Sequence, residues 1–344
     1  MSTIDRGHIA SWLDALAGSF ILLAPTDVQG VPLYRPVKDS SEILWDFGRP
    51  VLSIKDSFFP ATERLFTIEK SGGNLEIEET PPVGPQVIFG VRPCDARALK
   101  SLDAVFLDNG PEDLYYARRR ANTTLVGLAC KEMGETCFCT SLGGSPDDPG
   151  DMDVMITEME DGYKIQAVTD KGRRLLSDYS FGPGQWDLYD EADKGSRRED
   201  PNHLDLRSIN WLEHFSDDYW GNVSERCLDC RICAYVCPAC RCFDIRDEAL
   251  PSTHAHQSFE RIRCWDSCMS ERYRLIAGGH NSRPDKEQRL RNRVFCKFYY
   301  YPQQYGPVAC TGCGRCVESC PENIDMLEIL QHLTGISGVQ SEKA

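Results

Sequence analysis

The sequence predicts two parts of different build: an α/β domain first, then an α-helical, loop-rich domain dense in cysteine. Three observations predict this. Short β-branched runs alternate with helical periodicity through the first half of the chain. Cysteines are absent before Cys94, four fall between Cys94 and Cys139, and thirteen follow from Cys227 onward. Between these groups lies a cysteine-free stretch whose end, Asp187 to Asp200, is polar and highly charged, as a connector would be. The expected division is residues 1–185, a charged connector at 186–215, and residues 216–344 with a long insert at 241–300.

His8 to Leu16 has helical spacing, and Phe20 to Ala24 reads as the strand that follows. Gln86 to Val91 is a short apolar run ending at Arg92–Pro93–Cys94. Asp95 to Leu107 is helical in period, with Ala98, Leu99, Leu102, Val105 and Phe106 on the buried side and Asp95 as N-cap. A second strand, Thr123 to Leu128, ends at Cys130. Ligands in open α/β sheets sit beyond the carboxyl ends of strands, so cysteines at two such ends point to a cofactor site. Residues 145–151 are turn formers. Asp161–Gly162 joins two strand-like runs, Val154 to Ile156 and Tyr163 to Val168, as a hairpin. Met326 to Leu333 has helical spacing and is expected to pack beneath the cysteine motifs.

At 344 residues with 41% hydrophobic content, two folded domains are expected. A net charge of −15 argues against nucleic acid as the partner of the whole molecule. No stretch approaches the ~20 apolar residues of a membrane span, and the N-terminus lacks the basic start and long apolar run of a signal peptide. The chain reads as soluble and cytoplasmic. Seventeen cysteines in such a chain point to metal rather than disulfides, which crowd short secreted proteins; the odd number also leaves one thiol unpaired.

Cys227-x2-Cys230-x2-Cys233-x3-Cys237-Pro238 is repeated in spacing by Cys310-x2-Cys313-x2-Cys316-x3-Cys320-Pro321. This is the bacterial two-cluster ferredoxin pattern, in which the fourth cysteine of each run ligates the other cluster. Cluster I would take Cys227, Cys230, Cys233 and Cys320; cluster II would take Cys310, Cys313, Cys316 and Cys237. The later half is therefore expected to be a bacterial-type dicluster ferredoxin domain with two 4Fe–4S clusters. Zinc sites use separated Cys-x2-Cys pairs and do not need three closely spaced cysteines and a Cys-Pro twice.

Cys94, Cys130, Cys137 and Cys139 supply four more thiols, the number a third 4Fe–4S cluster takes. Cys137 and Cys139 would face one side of an extended chain; buried thiols or a redox pair are the alternatives. The insert adds Cys240, Cys242, Cys264, Cys268 and Cys296, either a further ligand set or compact buried residues, with the second favoured. Residues 241–300 hold twelve Arg and Lys against eight Asp and Glu. Arginines paired with local acids are the favoured account; a docking surface, or positive charge beside anionic clusters, is the other.

Together, Arg263-Cys-Trp-Asp-Ser-Cys268-Met269, Gly279-His-Asn-Ser-Arg-Pro284 and Cys310-Thr-Gly-Cys-Gly-Arg-Cys316 resemble the A subunits of anaerobic sulfite reductases and the beta subunits of cytoplasmic NiFe (sulf)hydrogenases. Segments around Cys94 and Cys137-Phe-Cys139-Thr-Ser are similar too, so the resemblance runs from about Pro85 to the end. Cys296 stands where the family pattern has histidine. The resemblance implies that the N-terminal cysteines are cluster ligands. It also implies an electron-transfer role between a catalytic redox subunit, carried on a separate chain, and a flavin/NAD(P)H-binding subunit. The chain has no Gly-x-Gly-x-x-Gly fingerprint, phosphate loop or Gly-x-Ser-x-Gly elbow, consistent with that role. A catalytic reductase binding its own substrate at the N-terminal cysteines, and a cluster-bearing scaffold or sensor, are the competing expectations.

Overall fold

A computed structural model describes residues 3–179, 181–182, 184–190, 203–251 and 256–335. Much of the expected connector, at 191–202, lies outside the described residues. Eleven strands are described: β1 (Ile21–Val28), β2 (Val31–Pro36), β3 (Thr62–Ser71), β4 (Asn74–Glu79), β5 (Gln86–Val91), β6 (Thr123–Leu128), β7 (Val154–Met159), β8 (Gly162–Ala167), β9 (Asp187–Leu188), β10 (Phe243–Ala249) and β11 (His256–Trp265).

Seven of them form a mixed sheet in the order β2-β1-β5-β6-β7-β8-β9. β1, β5, β6 and β7 run parallel, the hairpin partners β2 and β8 run antiparallel to β1 and β7, and β9 pairs parallel with β8. Every residue of β5 and β6 is buried, as expected of parallel strands covered on both faces, whose sequences are apolar runs rather than alternations. Helix Arg6–Ala17 closes one face through Ile9, Trp12, Leu13 and Leu16. Helix Pro93–Asp103, continued by a π-type turn at Ala104–Asp108, covers the other, burying Leu99, Leu102 and Phe106 there, while Ala98 is buried against Cys237 and Ala239. Val105 is half-buried.

The expected cap is not made. Arg92 occupies the N-cap without a side-chain bond, because Pro93 opens the helix. Asp95 lies inside the first turn and is buried against Arg315, bidentate at 2.5 and 2.8 Å. A carboxylate there faces the second cysteine run instead of its own helix end.

The second sheet has the order β10-β11-β3-β4. The insert between the cysteine runs is thus partly a β-ribbon, which a helical, loop-rich expectation did not contain. β11 pairs antiparallel with β3 from Cys264 opposite Thr62 to His256 opposite Ser71. Beneath this seam the buried Arg263 guanidinium binds Glu63 at 2.5 and 3.2 Å and pairs with Asp113, and Arg119 also reaches Glu63. The two cysteine runs sit against short helices, Tyr219–Glu225, Ile232–Tyr235, Lys286–Phe295, Arg315–Glu318 and Met326–Leu333, which share one apolar core. Among the described residues no helix is long and apolar enough to cross a membrane.

Candidate metal centres

The two cysteine runs repeat in backbone as well as in spacing. Asp229 and Arg231 take φ of 56° and 66° in the first run; Gly312 and Gly314 take 64° and 74° at the matching positions of the second. In both runs the amide two residues after the first cysteine points at its sulfur: Asp229 N–H to Cys227 Sγ at 3.4 Å, Gly312 N–H to Cys310 Sγ at 3.5 Å. Left-handed turns at these points fold each Cys-x2-Cys-x2-Cys segment back on itself, and amides aimed at sulfur tune such centres.

The glycines of the second run have a further cause. A Cβ at Gly312 would stand 2.5 Å from the Phe138 carbonyl oxygen, and one at Gly314 would stand 2.5 Å from that of Thr136. The N-terminal cysteine loop presses onto the second run here, with Phe138 N–H donating to Gly312 O at 2.8 Å. At the matching positions of the first run Asp229 and Arg231 keep their side chains, and Asp229 pairs with Arg289 at 3.1 Å.

Three cavities collect the predicted ligands. Cys227, Cys230, Cys233 and Cys320 line the first, walled by Met269, Leu290 and Ile329, with Cys316 on its border. Cys237, Cys310, Cys313 and Cys316 line the second, with Lys297 and Phe138. Cys94, Cys130, Cys137 and Cys139 line the third, an open cavity of about 540 Å³ bordered also by Cys313, Arg49 and Arg92. The fourth cysteine of each run therefore faces the other run's cavity. Cys137 and Cys139 share the third cavity without an extended chain between them, since Cys139 begins the 3-10 turn Cys139–Leu142.

The remaining cysteines line none of these three cavities. Cys240 contacts Cys237 and accepts from Arg293 at 3.4 Å. Cys242 and Cys268 share a hydrogen bond that lowers the Cys242 thiol to about 6. Cys264 lies on β11 opposite Asp244, and Cys296 accepts from Arg241 at 3.7 Å.

Buried cations surround the sulfurs. Lys297 is 5% exposed and donates to Cys237 Sγ at 3.2 Å and Ala309 O at 2.9 Å. Arg293 is 2% exposed and donates to Cys233 O at 2.6 Å. Lys55 is buried, lies 3.6 Å from the Trp265 ring centroid, and donates to the Tyr235 and Cys240 carbonyls at 3.4 Å. Burial pulls the Lys55 ammonium down to about 8. Burial acts the same way on Lys297, but the Cys237 and Cys240 sulfurs outweigh it and raise its pKa. Among the described residues none of these three cations has a carboxylate within ion-pair distance. A buried charge is costly unless compensated. Thiolate-bound iron–sulfur clusters are anionic, so the donor set and its cationic surround fit that group. Lys55 and Arg49 come from a segment with no motif, and no sequence signal marks them. The positive excess of the insert marks Arg293 and Lys297 only collectively.

Paired cysteine runs whose fourth cysteines line each other's cavities, backed by buried cations, define an iron–sulfur protein of the dicluster class. Residues 226–324 match the family model described as a 4Fe-4S dicluster domain. Over 308 residues the chain is 34% identical to the Sulfhydrogenase 2 subunit beta of Pyrococcus furiosus, covering 87% of this chain and 88% of that one. The chain belongs to the sulfhydrogenase beta-subunit family. No solved structure matches it.

Proposed function

We propose that this chain is the electron-transfer iron–sulfur subunit of a multi-subunit oxidoreductase of NiFe hydrogenase or sulfite reductase type. It relays electrons between a catalytic redox subunit, on one side, and a flavin/NAD(P)H-binding subunit, on the other. It does so in the reducing cytoplasm, where thiols and clusters persist. Cys227, Cys230, Cys233 and Cys320 hold cluster I; Cys310, Cys313, Cys316 and Cys237 hold cluster II; Cys94, Cys130, Cys137 and Cys139 hold cluster III. A bound 4Fe–4S cluster supplies reversible one-electron storage. The protein positions the three, balances their charge and sets their order.

One observation carries this reading: the three cavities are contiguous, the first and second sharing Cys316 and the second and third sharing Cys313. Three cysteine cavities joined through shared wall residues suit passage of electrons better than sensing. The ends of the row lie near the surface, at the exposed Cys230 and at the open third cavity, which gives a place for two partners.

The test is iron and sulfide content of anaerobically purified protein, with EPR of the reduced sample. About twelve irons per chain are expected, falling to about eight in Cys94→Ala. About eight in the unaltered protein would remove cluster III, and zinc without sulfide would overturn the reading. A second reading, a reductase binding substrate at the N-terminal cysteines, is favoured by one fact: the third cavity, at about 540 Å³, has the size of a small-molecule pocket. Turnover of sulfite by the isolated chain with reduced viologen would support it; none is expected of a relay.

A further inference from the structure

Away from the cysteines, two side chains three residues apart meet a third from 115 residues further on. His214 lies in the 3-10 turn Glu213–Ser216, Asp217 just after it, and His332 in the last turn of helix Met326–Leu333. His214 Nδ1 is 3.3 Å and His332 Nε2 is 3.0 Å from the same carboxylate oxygen, Asp217 Oδ2. All three atoms lie within 4.8 Å of one another.

These spacings are those of ligands around a small cation. Zn–N and Zn–O bonds of about 2.0–2.1 Å in a tetrahedron separate neighbouring ligand atoms by about 3.3 Å. Two of the three edges are already near that length, and a modest closure of the two imidazoles supplies the third. The groups are also held as ligands usually are, by a second layer of contacts. Asp217 Oδ1 accepts from the Tyr219 amide at 2.9 Å, leaving Oδ2 for the shared point. The His332 ring stacks on Tyr219 at 3.8 Å and 10°. The His214 carbonyl is fixed by Trp220 Nε1 at 2.7 Å. Hydrogen bonds alone require each ring to carry its proton on the nitrogen facing Asp217; a cation requires those two nitrogens to be unprotonated.

We propose that His214 Nδ1, Asp217 Oδ2 and His332 Nε2 form a mononuclear site for a zinc-type divalent cation, separate from the cysteine centres. Two imidazoles and one carboxylate suit zinc or its first-row neighbours rather than calcium or magnesium, which take oxygen ligands. All three side chains are partly exposed, so water completes the coordination. The position gives the ion a role. His332 follows Ile329 by one turn, and Ile329 and Met326 wall the cavity of Cys227, Cys230, Cys233 and Cys320. Helix Tyr219–Glu225 leads straight into Cys227. The ion pins the last helix to the segment that opens the first cysteine run, across 115 residues of sequence.

The experiment uses the full chain, purified anaerobically with its iron in place and dialysed against micromolar zinc chloride. Zinc content and zinc K-edge absorption are then measured. A single zinc is expected, with only nitrogen and oxygen at about 2.0–2.1 Å and no sulfur at about 2.3 Å. His332→Ala and the near-isosteric His332→Gln should both lose that zinc while iron content and visible spectrum stay unchanged. No retained zinc, a sulfur-containing shell, or zinc that persists in both His332→Gln and His214→Gln would overturn the site.

Discussion

Individual positions in the two cysteine runs do the same backbone work under different constraints. Asp229 and Arg231 hold left-handed φ with half-buried side chains, Asp229 paired with Arg289, whereas Gly312 and Gly314 hold it under the Thr136–Cys139 loop. A non-glycine residue in that region costs about 1–2 kcal/mol, offset in part by the unfolded-chain entropy that glycine adds. Arg231→Gly should therefore shift unfolding stability by no more than about 1 kcal/mol and leave iron content intact. Gly312→Ala should cost about 2 kcal/mol or more, since its Cβ meets backbone that cannot move aside, and should release iron. Urea midpoints and iron analysis of the two variants separate these outcomes. Lys297 acts through charge: its ammonium lies 3.2 Å from Cys237 Sγ and would stabilise the more negative, reduced form of a cluster held there. Lys297→Met should lower that centre's potential by on the order of 100 mV, read by EPR-monitored redox titration. An unchanged potential would mean that Cys237 is not a cluster ligand.

Among the secondary-structure elements, β5 and β6 were legible because burial on both faces leaves an apolar run with turn signals at each end. Helix Met326–Leu333 was legible to the residue, its apolar spacing being unbroken. The second sheet was not. β4 reads Asn-Leu-Glu-Ile-Glu-Glu and is exposed throughout, with Leu75 and Ile77 each 63% exposed, so no buried face imposes a pattern. β10 and β11 acquire their state by pairing, and β11 finds its partner β3 nearly two hundred residues earlier. What holds that seam is Arg263 between Glu63 and Asp113. Removing one member of such a buried set strands the others' charge, at about 3–5 kcal/mol. Arg263→Met should lose that much in a denaturation midpoint; a loss under about 1 kcal/mol would show that the ribbon is held by its strand pairing alone. Helix Lys286–Phe295 shows the use of the insert's positive excess. Lys286, Arg289 and Arg293, at helical spacing, bind Cys227 O, Asp229 and Cys233 O on the first run. Arg246 and Arg261 pair with the local acids Asp244 and Asp247, as the first account has it, while Arg293 and Lys297 lie beside the sulfurs of Cys240 and Cys237.

For the molecule as a whole, the consequence is mutual dependence of the two halves. The N-terminal half supplies Lys55 to the cysteines of the other, and receives β11 and Arg315 in return. Residues 216–344 expressed alone would expose an unpaired β11 edge and lose Lys55 and the partner of Arg315. That fragment should be poorly soluble or retain few irons; a soluble fragment with about eight irons would show that the cluster-bearing half folds by itself. The sequence by itself determined the iron–sulfur chemistry and those local elements on which a buried face imposes a pattern. Cysteine spacing within seven residues and helical periodicity within ten are short-range properties, set by turns and by one buried face. Only the tertiary structure decided that the cavities touch through Cys313 and Cys316, and that buried lysines and arginines compensate the sulfurs. It alone decided that His214, Asp217 and His332 converge. Each of these depends on groups far apart in the chain, whose meeting is fixed by packing and by the cost of leaving charge buried alone.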